Sequence, residues 1–299
     1  MTVAKMFGLR RTCNADVGIE IEVEGKRLPY DRVSSTYWHV EGDGSLRGDG
    51  LENACEFVLA EPMSLGKAKD ALVHLDDCYE KNKSVVNDSP RAGVHIHVNC
   101  QNLSLLELYN FITAYLIFEN CLVSFCGPDR EGNLFCLRAK DAEYLIYSLC
   151  RALETGSYRR TLCTDELRYA SMNVRALGSY GSLEFRAMRG TRDMGRIALW
   201  AEILVNLRDR SVSFQNPVEM IMESSEGGFE ALAEKLFGEH ASVIYAQPDW
   251  QAKAVEGMRR AQEVAFSGDW EEIASLPKRQ VGGVTVTEDW DDDFPPIDF

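Results

Sequence analysis

Three glutamates occupy alternate positions in "DVGIEIEVEG": Glu20, Glu22 and Glu24, set between isoleucine and valine. Two histidines repeat the spacing in "GVHIHVNC", at His95 and His97, and Glu184 and Arg186 repeat it in "SLEFRAM". Side chains two apart on an extended chain share one face. Neighbouring glutamates then lie about 7 Å apart, and at an effective dielectric of about 20 each pair repels by on the order of 2 kcal/mol. On a solvated face, water and salt screen that cost. Two readings follow: a half-buried strand with its glutamates in water, or a row of carboxylates facing divalent cations.

Taken singly, each motif has a plain structural explanation. The HxH pair fits a zinc site or two hydrogen-bonded strand histidines. Glu184 and Arg186 fit a surface ion pair of little energetic consequence. In "NACEFVLAEP", Cys55 and Phe57 alternate against Glu56, with Glu52 shortly before them. Asp43 and Ser45 in "EGDGSLRGDG" fit a turn. Together, four strands would bring carboxylates, imidazoles and a guanidinium to one concave face. Hard oxygen ligands of that kind suit Mg²⁺ or Mn²⁺ bound with substrate phosphates. Glutamates two apart on a strand are too widely spaced to chelate one small ion easily, so two ions are expected, and they would relieve the repulsion.

The elements that must position these residues alternate between strands and covering helices. Apolar spacing predicts helices over 64–83, with Leu65, Ala68, Leu72, Leu75 and Tyr79 on one side, over 104–125, within "DAEYLIYSLCRALE", and over 193–210. "YASMNVRAL" and "SLEFRAM", joined by a Gly-Ser turn, predict a strand pair. Amphipathic helices are expected near 217–224, 229–237 and 249–266. The fold class expected is α+β, an antiparallel sheet with helices on its other face. The organisation expected is a catalytic unit over 1–210, a helical extension over 211–284 and an acidic, disordered tail over 285–299.

Composition narrows the function classes. At 299 residues, 45% hydrophobic and 26% charged, the chain reads as globular with a large core. A net charge of −15 argues against general nucleic-acid binding, and the body stays acidic without the six acids of "TVTEDWDDDFPPIDF". The best apolar run, 103–125, is interrupted by Glu107, Asn110, Glu119 and Asn120, so no bilayer span and no membrane partner are expected. The start has no apolar core of a signal peptide. Nine cysteines at irregular spacing, without a CxxC pair, fit a reducing, cytoplasmic setting. The tail resembles the acidic, Phe-ended tip by which bacterial single-stranded-DNA-binding proteins recruit partners, although charge runs usually only solvate.

The series "GIEIEVE", "DGSL…E…EFV", "HIHVN" and "MNV…SLEFRAMRGT" resembles the amidoligase family of carboxylate–amine ligases over roughly 16–210. Its relatives are found in bacteria and their phages. The resemblance implies a curved antiparallel sheet of the glutamine synthetase and glutamate–cysteine ligase type, with ATP and Mg²⁺ or Mn²⁺ held between glutamates. It implies Glu20, His95 and Glu184 as ligands of one ion, and Glu22, Glu56 and Glu52 as ligands of the other. It implies His97, Asn173 and Arg189 as nucleotide, substrate or phosphate contacts. Arg186, meeting the transferred phosphate, and Glu56 are the catalytic candidates; Glu24 carries no role. The reaction implied is ATP-dependent amide formation through an acyl phosphate, between a carboxylate and an amine that the sequence does not specify. Three alternatives remain: phosphoryl transfer without ligation, as in guanidino kinases; a metal-dependent hydrolase, although HExxH is absent; and a catalytically inactive binding protein.

Overall fold

In the computed structural model, which describes residues 1–127 and 130–275, the glutamate stretch forms the central strand β1 (Val17–Lys26). Around it lie β2 (Trp38–Glu41), β3 (Ala54–Leu59), β4 (Val85–Val86), β5 (Gly93–Asn99), β6 (Met172–Asn173) and β7 (Ser182–Arg189). All pairings are antiparallel, in the order β2-β3-β1-β5-β7-β6, with β4 paired to the end of β1. The sheet is open, as short β2 and β6 close its edges without meeting. The expected α+β class and antiparallel sheet are therefore found. The 285–299 tail lies outside the described residues.

The helices are α1 (Val3–Met6), α2 (Leu65–Asn82), α3 (Leu105–Cys126), α4 (Glu143–Thr155), α5 (Tyr158–Leu162), α6 (Ala176–Ser179), α7 (Met194–Ser211), α8 (Pro217–Phe237), α9 (Ala241–Tyr245), α10 (Trp250–Ala265) and α11 (Trp270–Ser275). The helices expected over 64–83, 104–125 and 193–210 are present, shifted by one residue at an end or two. The helices expected at 217–224 and 229–237 are two limbs of α8, broken where Gly228 takes φ 80° and ψ 170°. The strand pair expected after 168 is more complex, because α6 fills the connection and β6 is only two residues long.

One face of β1 drives folding. Ile19, Ile21 and Val23 are buried with Phe57 of β3, Ile96 of β5 and Phe185 of β7. Helices cover this face: Tyr79 of α2 meets Phe57 edge-on, and Phe111 and Tyr115 of α3 pack on Phe185. Each such side chain contributes about 1.5–3 kcal/mol by leaving water. Ser104 starts α3 through a capping box, accepting from Glu107 N–H while Glu107 Oε2 accepts from Ser104 N–H.

By length and composition α3 does suffice to cross a bilayer, contrary to the expectation from its interrupted sequence, but 89% of that window is buried inside the protein. The sheet covers one side, and helices from the 217–275 stretch cover the other. There α10 packs so closely that a Cβ on Gly257 would lie 2.3 Å from Ile117 O. Asn120 Nδ2 also donates to Lys253 O at 3.3 Å, and Phe118 meets Phe237 of α8 edge-on. An apolar helix this long is thus a buried spine between the sheet and the C-terminal helices.

Candidate metal centre

Strand alternation that buries Ile19, Ile21 and Val23 sends Glu20, Glu22 and Glu24 to the opposite face. Cross-strand register then decides their neighbours. Glu20 lies opposite His95, Glu22 opposite Glu56, and His97 opposite Glu184, which in turn lies opposite Asn173. Five strands therefore deliver their polar groups to one place.

Glu20 is the hub. Its Oε2 lies 3.1 Å from His95 Nδ1 and its Oε1 lies 3.2 Å from His97 Nε2, so one carboxylate spans both imidazoles. His95 Nδ1 is also 3.6 Å from Glu184 Oε1, and its Nε2 is 3.7 Å from Glu22 Oε1. Two sets of potential ligand atoms result, Glu20–His97–Glu184 and Glu20–Glu56–His95, each within 4.8 Å of one another. The first set brings His97 to Glu20 and Glu184, while His95, which the resemblance groups with these two, also lies near both.

The remaining residues singled out in the sequence take distinct positions. Glu22 is buried and accepts from Gly93 N–H at 2.8 Å. Asn173 Nδ2 donates to Glu184 Oε2 at 2.6 Å, and Arg186 pairs with Glu184 from the same strand. Arg189 pairs with Asp88, beyond the cluster. Glu52 is exposed before β3 with its carboxylate folded over Gly50, and the structure does not bring it to the others. Glu24 accepts from Arg47 N–H at 2.6 Å and fixes the loop between β2 and β3.

Electrostatics follow burial. Burial would raise the Glu20 carboxyl, but hydrogen bonds from His95 and His97 outweigh it and hold Glu20 well below the usual carboxylate range. Glu184 is likewise lowered, because His97, Arg186 and His95 overcome its burial. Burial would lower His97, yet its bond to Glu20 raises it. Glu22 is raised by burial despite His95 and Arg186. Glu56 is pushed up to about 8 by burial and by Glu20, Glu22, Asp43 and Glu41. Carboxylates thus exceed the positive charge available to them, a condition that a bound cation relieves.

Several contributors were missed in the sequence. Glu41 lies opposite Glu56 on β2, and alternation in "WHVE" was the available signal. Asp43 forms a turn as expected, accepting from Ser45 N–H at 2.5 Å, but its charge also acts on Glu56. Ser182 Oγ lies 3.1 Å from His97 Nδ1 and the Tyr180 ring stands edge-on to the imidazole; no periodicity marks either.

The class is an α+β protein in which one face of an open antiparallel sheet carries two overlapping carboxylate–imidazole sets. The chain belongs to the family described as "Putative amidoligase enzyme", whose profile matches residues 18–207, more than half its length. No curated protein matches the chain.

Proposed function

We propose that the protein is an ATP-dependent carboxylate–amine ligase whose sheet is of the glutamine-synthetase-like type, and that Glu20 bridges two divalent cations. The observation that carries this reading is the split reach of Glu20 to His95 and His97, with Glu56 and Glu184 completing a separate set on each side. The donor set fits Mg²⁺ or Mn²⁺: carboxylate oxygens dominate, imidazole is tolerated, and no thiol enters either set. A nucleotide fits too, since the half-buried Arg186 guanidinium stands beside the cluster, a group suited to an anion.

Joining a carboxylate to an amine needs a better leaving group than hydroxide. Bound ATP would supply it by converting the substrate carboxylate to an acyl phosphate. The residues of this chain would neutralise and align: Glu20, His97 and Glu184 hold one cation, and Glu20, Glu56 and His95 the other. Arg186 offsets charge on the moving phosphoryl group. Asn173 fixes the orientation of Glu184 through its 2.6 Å bond. A carboxylate outside both ligand sets would be suited to take the proton that the amine must lose. The substrates are an amino acid, peptide or protein side chain, in a cytoplasmic setting.

The test is a pair of measurements. Calorimetry with Mn²⁺ should show more than one ion per chain in wild type and loss of the heat in Glu20→Gln. ADP release should then require a carboxylate and an amine together. Release with a single phosphate acceptor and no amide product would instead make the enzyme a phosphotransferase, and retained Mn²⁺ binding in Glu20→Gln would remove the bridging role.

A further inference from the structure

Between α4 and the stretch before β6 runs a surface groove of about 260 Å³ that the ligase chemistry leaves unused. Leu137, Ala142, Leu145, Leu167 and Ala170 line it, and Tyr144 stands along it. Tyr144 and Tyr147, three apart on α4, are both 64% exposed. Next to Ala170, the exposed Tyr169 ring meets that of Phe135, and Leu134 beside Phe135 is 74% exposed. Leu137 N–H donates to Tyr169 O and Ser171 N–H to Leu137 O, each at 2.7 Å, so the two stretches are tied together. Exposed aromatic and apolar residues gathered beside a groove mark a surface that receives another chain.

Size and charge narrow the occupant. Small-molecule sites usually run to about 300–1,000 Å³, so this groove is sized for a single long side chain. Asp141 and Glu166 complete its lining. Glu166 is exposed and has no cationic partner among the described residues, while Asp141 shares Arg138 with Glu131. An apolar trough with carboxylates at its rim suits lysine, which buries its stem and keeps its ammonium at the surface. The net charge of −15 adds long-range attraction for a basic chain.

One stretch of chain joins the groove to the carboxylate–imidazole cluster. Ala170 lines the groove, and Asn173, three residues on, holds Glu184. Three extended residues span about 10 Å. At the cluster itself Tyr180 adds another exposed aromatic ring, edge-on to His97.

We infer that the groove docks a polypeptide substrate through a lysine side chain about three or four residues from the residue that reacts. The inference rests on the ligase reading above and selects a polypeptide from the substrates that reading leaves open. A free amino acid is too short to fill the groove and reach Glu184 together. An extended peptide does both, with its ammonium beside Glu166 and its backbone crossing the exposed aromatic rings.

The experiment is an NMR titration of the isotope-labelled full chain with a capped eight-residue alanine peptide carrying lysine at its fourth position, beside one with norleucine there. With Mg²⁺ present, amide shifts should concentrate on Leu137, Ala142, Leu145 and Ala170. The norleucine peptide, and the lysine peptide on Glu166→Lys, should bind at least about fivefold more weakly, and Tyr144→Ser should weaken binding about threefold. Glu166 and Tyr144 are exposed, so the variants keep the fold. With Mn²⁺ in place of Mg²⁺, the alanine methyls on one side of the lysine should broaden before those on the other, because that arm enters the cluster. Shifts scattered over the surface, undiminished binding by the norleucine peptide or by Glu166→Lys, or equal broadening of both arms overturns the docking. Titrating the same samples with Mn²⁺-ATP separates the two readings. Nucleotide binding without groove shifts overturns the docking alone, and groove shifts in a protein that binds no nucleotide overturn the ligase reading alone.

Discussion

Glu56 stands directly between two other glutamates in the sheet, opposite Glu22 on β1 and opposite Glu41 on β2. Like charges placed directly across a ladder destabilise it, and this pair of neighbours sits on a partly buried face. The protein tolerates the arrangement by holding a proton: burial first, and then Glu20, Glu22, Asp43 and Glu41, push the Glu56 carboxyl up to about 8. A cation would remove the need for that proton. Stability without metal and affinity for metal are therefore opposed at this residue.

Glu56→Gln should expose that opposition. A carboxyl raised in the folded state stabilises fully below its ordinary pKa, and the contribution is lost as pH rises through the folded value. Metal-free Glu56→Gln should accordingly be more stable than wild type at pH 9, by on the order of 2 to 4 kcal/mol in thermal unfolding, and the gap should shrink at pH 5. Saturating Mn²⁺ should reverse the order, since ligand binding to the native state stabilises the protein that binds it. A variant less stable than wild type at pH 9 without metal would mean that Glu22 and Glu41 do not repel Glu56 appreciably.

Behind the sheet, Glu119 of α3 makes a second pH-dependent contact. It is buried, accepts from Ala139 N–H at 2.8 Å and from the Ser171 hydroxyl, and burial raises its carboxyl to about 7 despite both bonds. The sign is the same as for Glu56: stability from this group is complete below about 4.5 and lost as pH passes about 7. Glu119→Gln keeps an acceptor and gains a donor, so it should abolish a fall of about 2 to 3 kcal/mol between pH 5 and pH 8. Urea midpoints of both proteins at the two pH values measure it. Parallel slopes would place the pH dependence elsewhere.

These two glutamates mark what the sequence could and could not reveal. The alternation around Glu20, Glu22, His95, His97 and Glu184 was legible because strand geometry alone sends such residues to one face, whatever the partner. Which groups meet was not legible. That His97 as well as His95 reaches Glu20 and Glu184 depends on cross-strand register and on the irregularity in β5–β7 pairing between Val94 and Ile96. Glu52 matched a motif, but its position before the strand leaves it on its own turn. Glu119 showed in the sequence only as an interruption of an apolar run, since a mid-helix acid acquires meaning only from tertiary contact. The apolar run of α3 was legible as a helix, but what covers it was not, because the covering helices follow it by about a hundred residues of chain.

Gly257 tests how the C-terminal helices are joined to the rest. Glycine inside a helix normally costs about 1 kcal/mol against alanine, so propensity alone would make Gly257→Ala stabilising. Here the added Cβ would meet Ile117 O at 2.3 Å and Leu116 O at 2.4 Å, both backbone atoms of α3 that cannot swing aside. The clash should dominate, and Gly257→Ala should destabilise by about 1–3 kcal/mol, the usual cost of overpacking. Thermal unfolding decides the sign. A more stable variant would show that α10 can lift from α3 without loss, leaving the helices after 211 as a separable attachment.

Asn173 separates two roles for one side chain. The resemblance implied a nucleotide or substrate contact, but its Nδ2 donates to Glu184 Oε2 while its Oδ1 accepts from Arg175 N–H, so both ends are committed within the protein. Its effect should therefore pass through Glu184, whose orientation toward Glu20 and His97 it fixes. Loss of such a supporting hydrogen bond typically weakens metal binding by about tenfold or more. Asn173→Ala should lower Mn²⁺ affinity by that order in the absence of any nucleotide. A direct nucleotide contact would instead leave Mn²⁺ affinity unchanged and weaken only Mn²⁺-ATP, and calorimetry of the two titrations on one variant distinguishes them.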